Sequence, residues 1–192
     1  SAYLLTVRLH NQRSLRSAEQ RQAIEDALAM AQEVCALYPG LAVAVQERGL
    51  ALLISKAQTD GLTAVYASLL LQHLLREYET LGEFRCHLCH VISPKDPAEI
   101  TAMTVDAIEE ITNLEQNLTL ASLAKAETAL MTAEVFTDLD AEQREWAQEF
   151  THPILEDLAP REAFYSVECL PKREQMLITG QAEVVLGFNM AT

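Results

Sequence analysis

The chain contains 192 residues, of which 49% are hydrophobic and 22% are charged. These values are ordinary for a folded protein and exclude a disordered one, and the length suits one domain with a proper core. The formal net charge of −14 argues against a surface for nucleic acid or an anionic membrane, because phosphates require clustered lysine and arginine. No signal peptide, transit peptide or apolar run of membrane-spanning length occurs, so we predict a cytoplasmic segment without direct membrane contact.

The first half of the chain alternates between strand and helix patterns. In order, these are a strand at 3–9, a helix from Ser17 to Tyr38, a hairpin of two strands around Glu47-Arg48-Gly49, a helix capped by Thr59 or Asp60 and ended by Gly82, and a strand at 84–92. The helices show apolar residues at helical spacing, and the strands are short apolar runs between turn residues. This β-α-β-β-α-β order predicts a ferredoxin-like α+β fold, in which one antiparallel sheet carries both helices on one face.

The second half of the chain predicts further helices and strands. In order, these are a helix at 98–116, a short helix or turn near 118–126, a strand at 128–132, a helix from about 134 to 150, and strands near 163–170 and 176–188. No low-complexity tract or long linker separates them from the first half. We therefore interpret residues 1–170 as one α/β domain and residues 171–192 as a C-terminal strand extension of the same domain.

Two segments of the second half carry a resemblance to a known family. The segment SLAKAETALMTAEVF at 122–136, followed by AFYSVECL at 163–170, resembles the C-terminal half of class III adenylate and guanylate cyclase domains. In that family a helix ends in a short turn, a strand and a helix follow, and a closing strand comes later. The β-α-β-β-α-β start is similar to the family as well. The resemblance implies a nucleotide-cyclase-like sheet with a C-terminal α/β elaboration.

The resemblance also implies where the metal-binding residues of a cyclase would lie. Family members place one aspartate at the end of the first strand and a second in the hairpin turn, because hard carboxylate oxygens must hold two divalent ions against a triphosphate. The first position corresponds to Leu9 or His10. The second falls in the turn at 47–49, with Arg48 most nearly opposite the family's aspartate. Neither position offers the required pair of carboxylates, and Arg48 would repel a metal ion.

The residues that would orient the ribose and stabilise the transition state are missing by the same comparison. The family uses an Asn and an Arg on the later helix. The corresponding positions lie near Glu115 and Thr119, with Asn113 and Asn117 close by. No arginine occurs between residues 86 and 143. We therefore expect a degenerate cyclase-like domain that is not an enzyme and that has neither catalytic residues nor a cofactor.

Three functions remain open on this interpretation. The first is a regulatory or protein-interaction module of a bacterial signalling or membrane-anchored protein. Residues 3–28 (YLLTVRLHNQRSLRSAEQRQAIEDAL) are similar to the cyclase-like domain at the cytoplasmic end of bacterial membrane-anchored proteins of the AhpA type. The second is a nucleotide-sensing domain that binds without turnover. The third is a metal- or haem-binding protein that uses residues 86–90.

The run Cys86-His87-Leu88-Cys89-His90 matches the C-x-x-C-H pattern of covalent haem attachment. It falls within a strand, however, where Cys86 and Cys89 face opposite sides of the sheet, and no export signal accompanies it. His87 and Cys89 share one face, and they could bind one metal ion only with a further ligand such as His10. We favour the interpretation that these are partly buried strand residues.

The second face of the predicted sheet is a candidate interaction surface. A sheet with both helices on one face leaves its other face to be solvated, covered by the C-terminal elaboration or paired with another molecule. Cyclase domains pair through that face. Its alternate strand residues include Arg85, His87 and Cys89, and we predict that these form an interaction face for a homodimer or for a partner domain.

Overall fold

A computed structural model describes residues 1–56, 60–78 and 81–190, with only the backbone described for 188–190. The strands are β1 (Ala2–Leu9), β2 (Gly40–Val45), β3 (Gly49–Ser55), β4 (Phe84–Val91), β5 (Ala129–Thr132), β6 (Ala147–Phe150) and β7 (Phe164–Val167). The helices are α1 (Ser17–Leu37), α2 (Gly61–Glu77), α3 (Pro97–Thr101), α4 (Val105–Ile111), α5 (Leu114–Leu123), α6 (Ala133–Thr137), α7 (Ala141–Arg144), α8 (Pro153–Leu158) and α9 (Lys172–Met190). All seven strands belong to one sheet in the order β2-β3-β1-β4-β5-β7-β6.

The predicted β-α-β-β-α-β start is confirmed. β1 pairs antiparallel with β3 on one side and with β4 on the other, and β2 completes the hairpin with β3. Asp60 caps α2 by accepting a hydrogen bond from the backbone N–H of Thr63 at 2.8 Å, whereas Thr59, the alternative cap, lies outside the described residues. β4 and β5 run parallel, and this pairing joins the two halves of the chain into one sheet.

One face of the sheet packs against α1, α2 and α9. Alternate residues of β1, among them Leu5, Val7 and Leu9, point to this face and are fully buried together with apolar residues of all three helices. The alternation follows from the pleat of the strand, which sends successive side chains to opposite faces. This is the face on which both helices of the ferredoxin-like arrangement were predicted.

The second face is covered by the elaboration that follows β4. Ile100 of α3, Ile108 of α4 and Leu118 of α5 pack onto the strands β1, β2 and β3. Farther along the sheet, Leu120 of α5 and Leu155 of α8 close a third apolar cluster over β5 and β7. Of the three possibilities for this face, coverage by the elaboration is therefore the one that the structure adopts.

Three predicted elements are wrong in detail. The strand predicted near 176–188 is part of the helix α9. The β-branched residues that suggested a strand include Ile178 and Val185, which are buried and lie seven residues apart, on one face of a helix. The helix predicted from 134 to 150 is divided into α6, α7 and the edge strand β6. The helix predicted at 98–116 is interrupted twice, because Thr104 and Asn113 each cap a new helix.

Candidate functional site

The hairpin turn between β2 and β3 brings Arg48 beside the end of β1. Gln46 adopts a left-handed conformation (φ 51°) that closes the turn, and the backbone N–H of Leu9 donates to the carbonyl of Arg48 at 2.8 Å. Gly49 begins β3 so close to β1 that an added Cβ would collide with the carbonyl oxygen of Val7. The approach of these backbones therefore depends on glycine, and it sets where Arg48 lies.

Arg8 and Arg85 lie directly opposite each other on β1 and β4. Both side chains are half-buried. Arg8 donates to the side chain of Gln12 at 3.0 Å, and Arg85 donates to the carbonyl of Phe84 at 3.2 Å. Like charges at directly opposed positions repel each other, and burial together with the nearby Arg48 lowers the pKa of Arg8. This end of the sheet therefore carries positive charge within an acidic chain.

Arg48 is paired with Glu115, which lies in the first turn of α5. Both guanidinium NH groups of Arg48 donate to the two carboxylate oxygens of Glu115. The hydrogen bonds raise the pKa of Arg48 and lower that of Glu115, so both groups are charged at neutral pH. The Glu115 carboxylate is thus occupied by a cation of the protein itself.

Of the positions implied by the cyclase resemblance, Arg48 contacts Leu9 through its backbone and Glu115 through its side chain, whereas Asn117 lies 4.0 Å from the Cys89 thiol, farther along β4. Leu9 is fully buried beneath α1 and α2, whereas His10 is exposed. On α5, the Thr119 hydroxyl donates to the carbonyl of Glu115. Asn113 caps this helix, and the buried Asn117 donates to the hydroxyl of Thr112 at 3.0 Å. Burial, followed by the charge of Arg85, lowers the pKa of His10.

The strand β4 places the C-x-x-C-H residues as the strand pattern predicts. Cys86 packs into the core under α2, and Cys89 packs against the opposite face. Burial raises the pKa of each thiol to about 12, which leaves both protonated and unreactive at neutral pH. His87 lies opposite Thr6 on β1, four residues or about 13 Å of strand from His10. The two histidines therefore do not meet, and among the described residues no group of three or more His, Cys, Asp or Glu side chains is placed to hold a metal ion.

The predicted interaction face at Arg85, His87 and Cys89 requires correction. His87 has an exposed fraction of 0% and Cys89 of 8%, because α5 and the segments after β5 lie over them. Of the three residues, only Arg85 is more than slightly exposed to solvent, and it is half-buried. In this fold the elaboration occupies the surface that was expected to receive a partner.

A polar network that sequence reasoning missed lies at the opposite end of β1. The Asp138 carboxylate accepts hydrogen bonds from the hydroxyl of Tyr3 at 2.8 Å and from Nε2 of His90 at 2.7 Å, and it forms an ion pair with Nζ of Lys56 at 3.3 Å. Burial raises the pKa of Tyr3, and the bond to Asp138 raises it further. Burial alone would raise the pKa of Asp138, but the contacts from Tyr3, His90 and Lys56 outweigh burial and lower it.

No local signal in the sequence marks this network. Tyr3 and Asp138 are 135 residues apart, and the pattern around Asp138 and Asp140 is equally typical of helix capping. The structure assigns the cap to Asp140, which accepts from the backbone N–H of Gln143 at 2.7 Å. Asp138 instead connects the segment after β5 to the first half of the sheet through its contacts with Tyr3, His90 and Lys56.

Solved structures of nucleotidyl cyclase domains share this fold. The guanylate cyclase domain of RhGC from Catenaria anguillulae, in complex with GTP, matches 88% of this chain and 97% of its own, with a TM-score of 0.60 and 9% identity. The non-canonical dimeric guanylyl cyclase domain of the RhoGC fusion protein from Blastocladiella emersonii matches 86% of this chain and 94% of its own, with a TM-score of 0.56 and 10% identity. An adenylate cyclase from Trypanosoma brucei in its monomeric state matches 89% of this chain and 90% of its own, with a TM-score of 0.54 and 13% identity.

No protein-family model matches the chain, and no curated protein matches its sequence.

In the part of the chain that the structure describes, no helix is both long enough and apolar enough to cross a membrane. The mixed seven-stranded sheet and its helices place the chain, by structure, within the α+β fold of nucleotidyl cyclase domains.

Proposed function

We propose that this domain is a cyclase-like regulatory or protein-interaction module without cyclase activity, on the cytoplasmic side of a bacterial signalling or membrane-anchored protein. The observation that carries the proposal is the group formed by Arg8, Arg48 and Arg85 at the end of the sheet where the resemblance implies a pair of metal-binding carboxylates. Divalent ions require oxygen ligands, and three guanidinium groups repel them. The nearby Glu115 is bonded to Arg48.

The residues on α5 support the same proposal. A cyclase needs a cationic side chain there to stabilise the charge that develops in the transition state. Thr119 is neutral, and Asn117 is buried with its amide bonded to Thr112. Neither side chain supplies a positive charge to a bound triphosphate.

Calorimetric titration with ATP and with GTP, each with excess manganese, tests the proposal. We expect no heat of binding, and we expect no cyclic nucleotide when the same mixtures are incubated and analysed by chromatography. Formation of either cyclic nucleotide would overturn the proposal, because it would require a metal site that the arginine group does not provide.

A nucleotide sensor is the alternative, and the arginine group favours it in one respect. Arginine binds phosphate oxygens without a metal ion, and Arg8 and Arg85 face each other without a described carboxylate between them. A sensor of this kind predicts ATP or GTP binding that persists in EDTA and weakens at least tenfold in the variant Arg8→Ala, with Arg144→Ala as the control for a lost positive charge. Absence of binding both with manganese and in EDTA removes the sensor and leaves the interaction module.

For the interaction itself we propose a second copy of the chain, with α9 as the contacting surface. Met176, Leu177 and Val184 on α9 are exposed, Val184 to 70%, and exposed apolar patches mark contact sites. One cyclase domain of this fold is described as dimeric and another as monomeric, so the fold is compatible with either state. Light scattering at high micromolar concentration is expected to give a dimer for the wild type and a monomer for Val184→Glu, and a monomeric wild type would contradict this contact.

A further inference from the structure

A cavity of about 510 Å³ lies where the parallel strands β4 and β5 end. His87 stands beside Leu130 in the parallel register, so His87, Cys89 and Thr132 fall on one face of the sheet. All three line the cavity, and α5 forms its wall with Gln116 and Asn117. Sheets with parallel strands commonly bind ligands in the crevice beyond the carboxyl ends of those strands, and this cavity occupies that position.

The polar groups at the bottom of the cavity are unsatisfied. His87 is completely buried, and neither of its ring nitrogens has a hydrogen-bond partner among the described residues. The buried hydroxyl of Thr132 also lacks a partner there, although Thr132 occupies the cap position of α6. Burial lowers the pKa of His87 to about 4, so the ring is neutral at pH 7 and presents one donor and one acceptor. Folded proteins leave few such groups unpaired, and each exception calls for an explanation.

The remaining lining determines which ligands can enter. Asn117 donates its amide N–H to Thr112, and among the described residues its carbonyl oxygen has only the weakly donating Cys89 thiol nearby, at 4.0 Å. At the rim, Glu134 and Glu162 are exposed carboxylates; Arg161 is exposed beside them, and Nδ1 of His90 lies 3.4 Å from the Glu134 carboxylate. A ligand that carries a negative charge would meet both rim carboxylates and would then lose its hydration at a neutral histidine.

We propose that this cavity binds a small uncharged heterocycle or carboxamide that presents an N–H donor and a C=O acceptor side by side to His87 and Thr132. The N–H of such a ligand can donate to the unprotonated nitrogen of His87, and its C=O can accept from the threonine hydroxyl. The cavity is separate from the arginine group at the other end of the β4 strand. Ligand binding in this cavity therefore does not depend on whether the domain lacks cyclase activity.

Uracil and nicotinamide are suitable probes, because both are neutral and carry adjacent donor and acceptor groups. The measurement is NMR titration of protein labelled with ¹⁵N in its histidine rings. We expect saturable shifts of both His87 nitrogens, and at least tenfold weaker binding of 1,3-dimethyluracil, which has no N–H, and of orotate, which adds a carboxylate to uracil. Absence of any His87 shift with uracil and nicotinamide at tens of millimolar would overturn the proposal, and so would equal affinity for 1,3-dimethyluracil.

Variants separate a ligand site from a structural role of His87. His87→Leu is expected to weaken uracil binding at least tenfold while the melting temperature stays equal or rises, because an unpaired buried polar group is removed. His73→Gln, on α2 at the other face of the sheet, serves as the control and is expected to bind normally. A lowered melting temperature of His87→Leu together with unchanged probe affinity would assign His87 to the structure alone.

The rim carboxylates are tested by the double variant Glu134→Gln/Glu162→Gln, which leaves His87 and Thr132 unchanged. This variant is expected to bind orotate at least threefold more tightly than the wild type. Unchanged orotate affinity would contradict the repulsion attributed to the two carboxylates.

Discussion

The two faces of the sheet are built on different principles. Under α1, α2 and α9, the strands contribute a continuous apolar layer that includes Leu5 and Leu52. Under α5, the apolar layer is divided into two clusters, and between them β1 and β4 contribute the buried Thr6 and His87, whose polar atoms have no described partner. Since unpaired buried polar groups cost stability, we expect truncation of an apolar residue on the first face to destabilise the fold and removal of His87 on the second face to cost nothing.

The largest expected effect is on the first face. Leu5→Ala removes a fully buried side chain and is expected to lower the free energy of unfolding by about 2–5 kcal/mol, through lost burial and the cavity left behind. Urea denaturation monitored by circular dichroism measures this change. His87→Leu on the second face is the matched comparison and is expected to be neutral or stabilising. Similar losses in both variants would erase the proposed difference between the faces.

The hairpin that positions Arg48 comes next. Gly49→Ala adds a Cβ that collides with the carbonyl of Val7, and we expect a loss of roughly 1–3 kcal/mol, as for other overpacked sites. Gly180→Ala is the control, because nothing lies within 4 Å of a Cβ at that helical position, and alanine favours helices. A fully stable Gly49→Ala protein would show that the two backbones can separate without cost.

A smaller and pH-dependent effect is expected at Asp138. Asp138→Asn is expected to cost about 1.5 kcal/mol at pH 7, the lower end for hydrogen bonds to a charged group. Because the pKa of this carboxyl is lowered in the folded protein, its contribution is complete above its usual pKa of 3.8 and is lost as the pH falls through the folded value. Denaturation at pH 7 and at successively lower pH below 4 should therefore show the difference from wild type shrinking. Substitution of the exposed Asp157 by Asn is the control. A difference from wild type that grows on acidification would show that folding raises the pKa of Asp138 instead of lowering it.

The smallest effect is expected at the Arg48–Glu115 pair. Glu115 is largely exposed, and exposed ion pairs contribute about 0.2–1 kcal/mol. Glu115→Gln should lower the free energy of unfolding by no more than this, and the difference should shrink in 1 M salt, which screens surface charges. A larger loss that persists at high salt would show that the pair is a structural anchor of α5.

The amino-acid sequence by itself determined the first half of the fold. The apolar periods of β1, α1 and α2 and the Gly-containing hairpin are local signals, since each depends on residues a few positions apart. They predicted the element order that the structure confirms. The cyclase-like sheet was instead implied by the resemblance of residues 122–136 and 163–170 to cyclase domains, and structural comparison supports that fold. The opposite orientations of Cys86 and Cys89 were also predictable, because they require only the pleat of one strand. The absence of catalysis stays a prediction.

Only the tertiary structure decided the second half and the surroundings of the candidate sites. Residues 176–188 read as a strand because β-branched side chains favour sheets, yet packing of Ile178 and Val185 against α2 makes the segment helical. The strand pattern predicts His87 as a contact residue on an open face. In the structure α5, about thirty positions later in the chain, covers its side chain. Tyr3 and Asp138 meet across 135 residues. Contacts of this kind depend on how distant segments pack, and no local pattern of residue types encodes them.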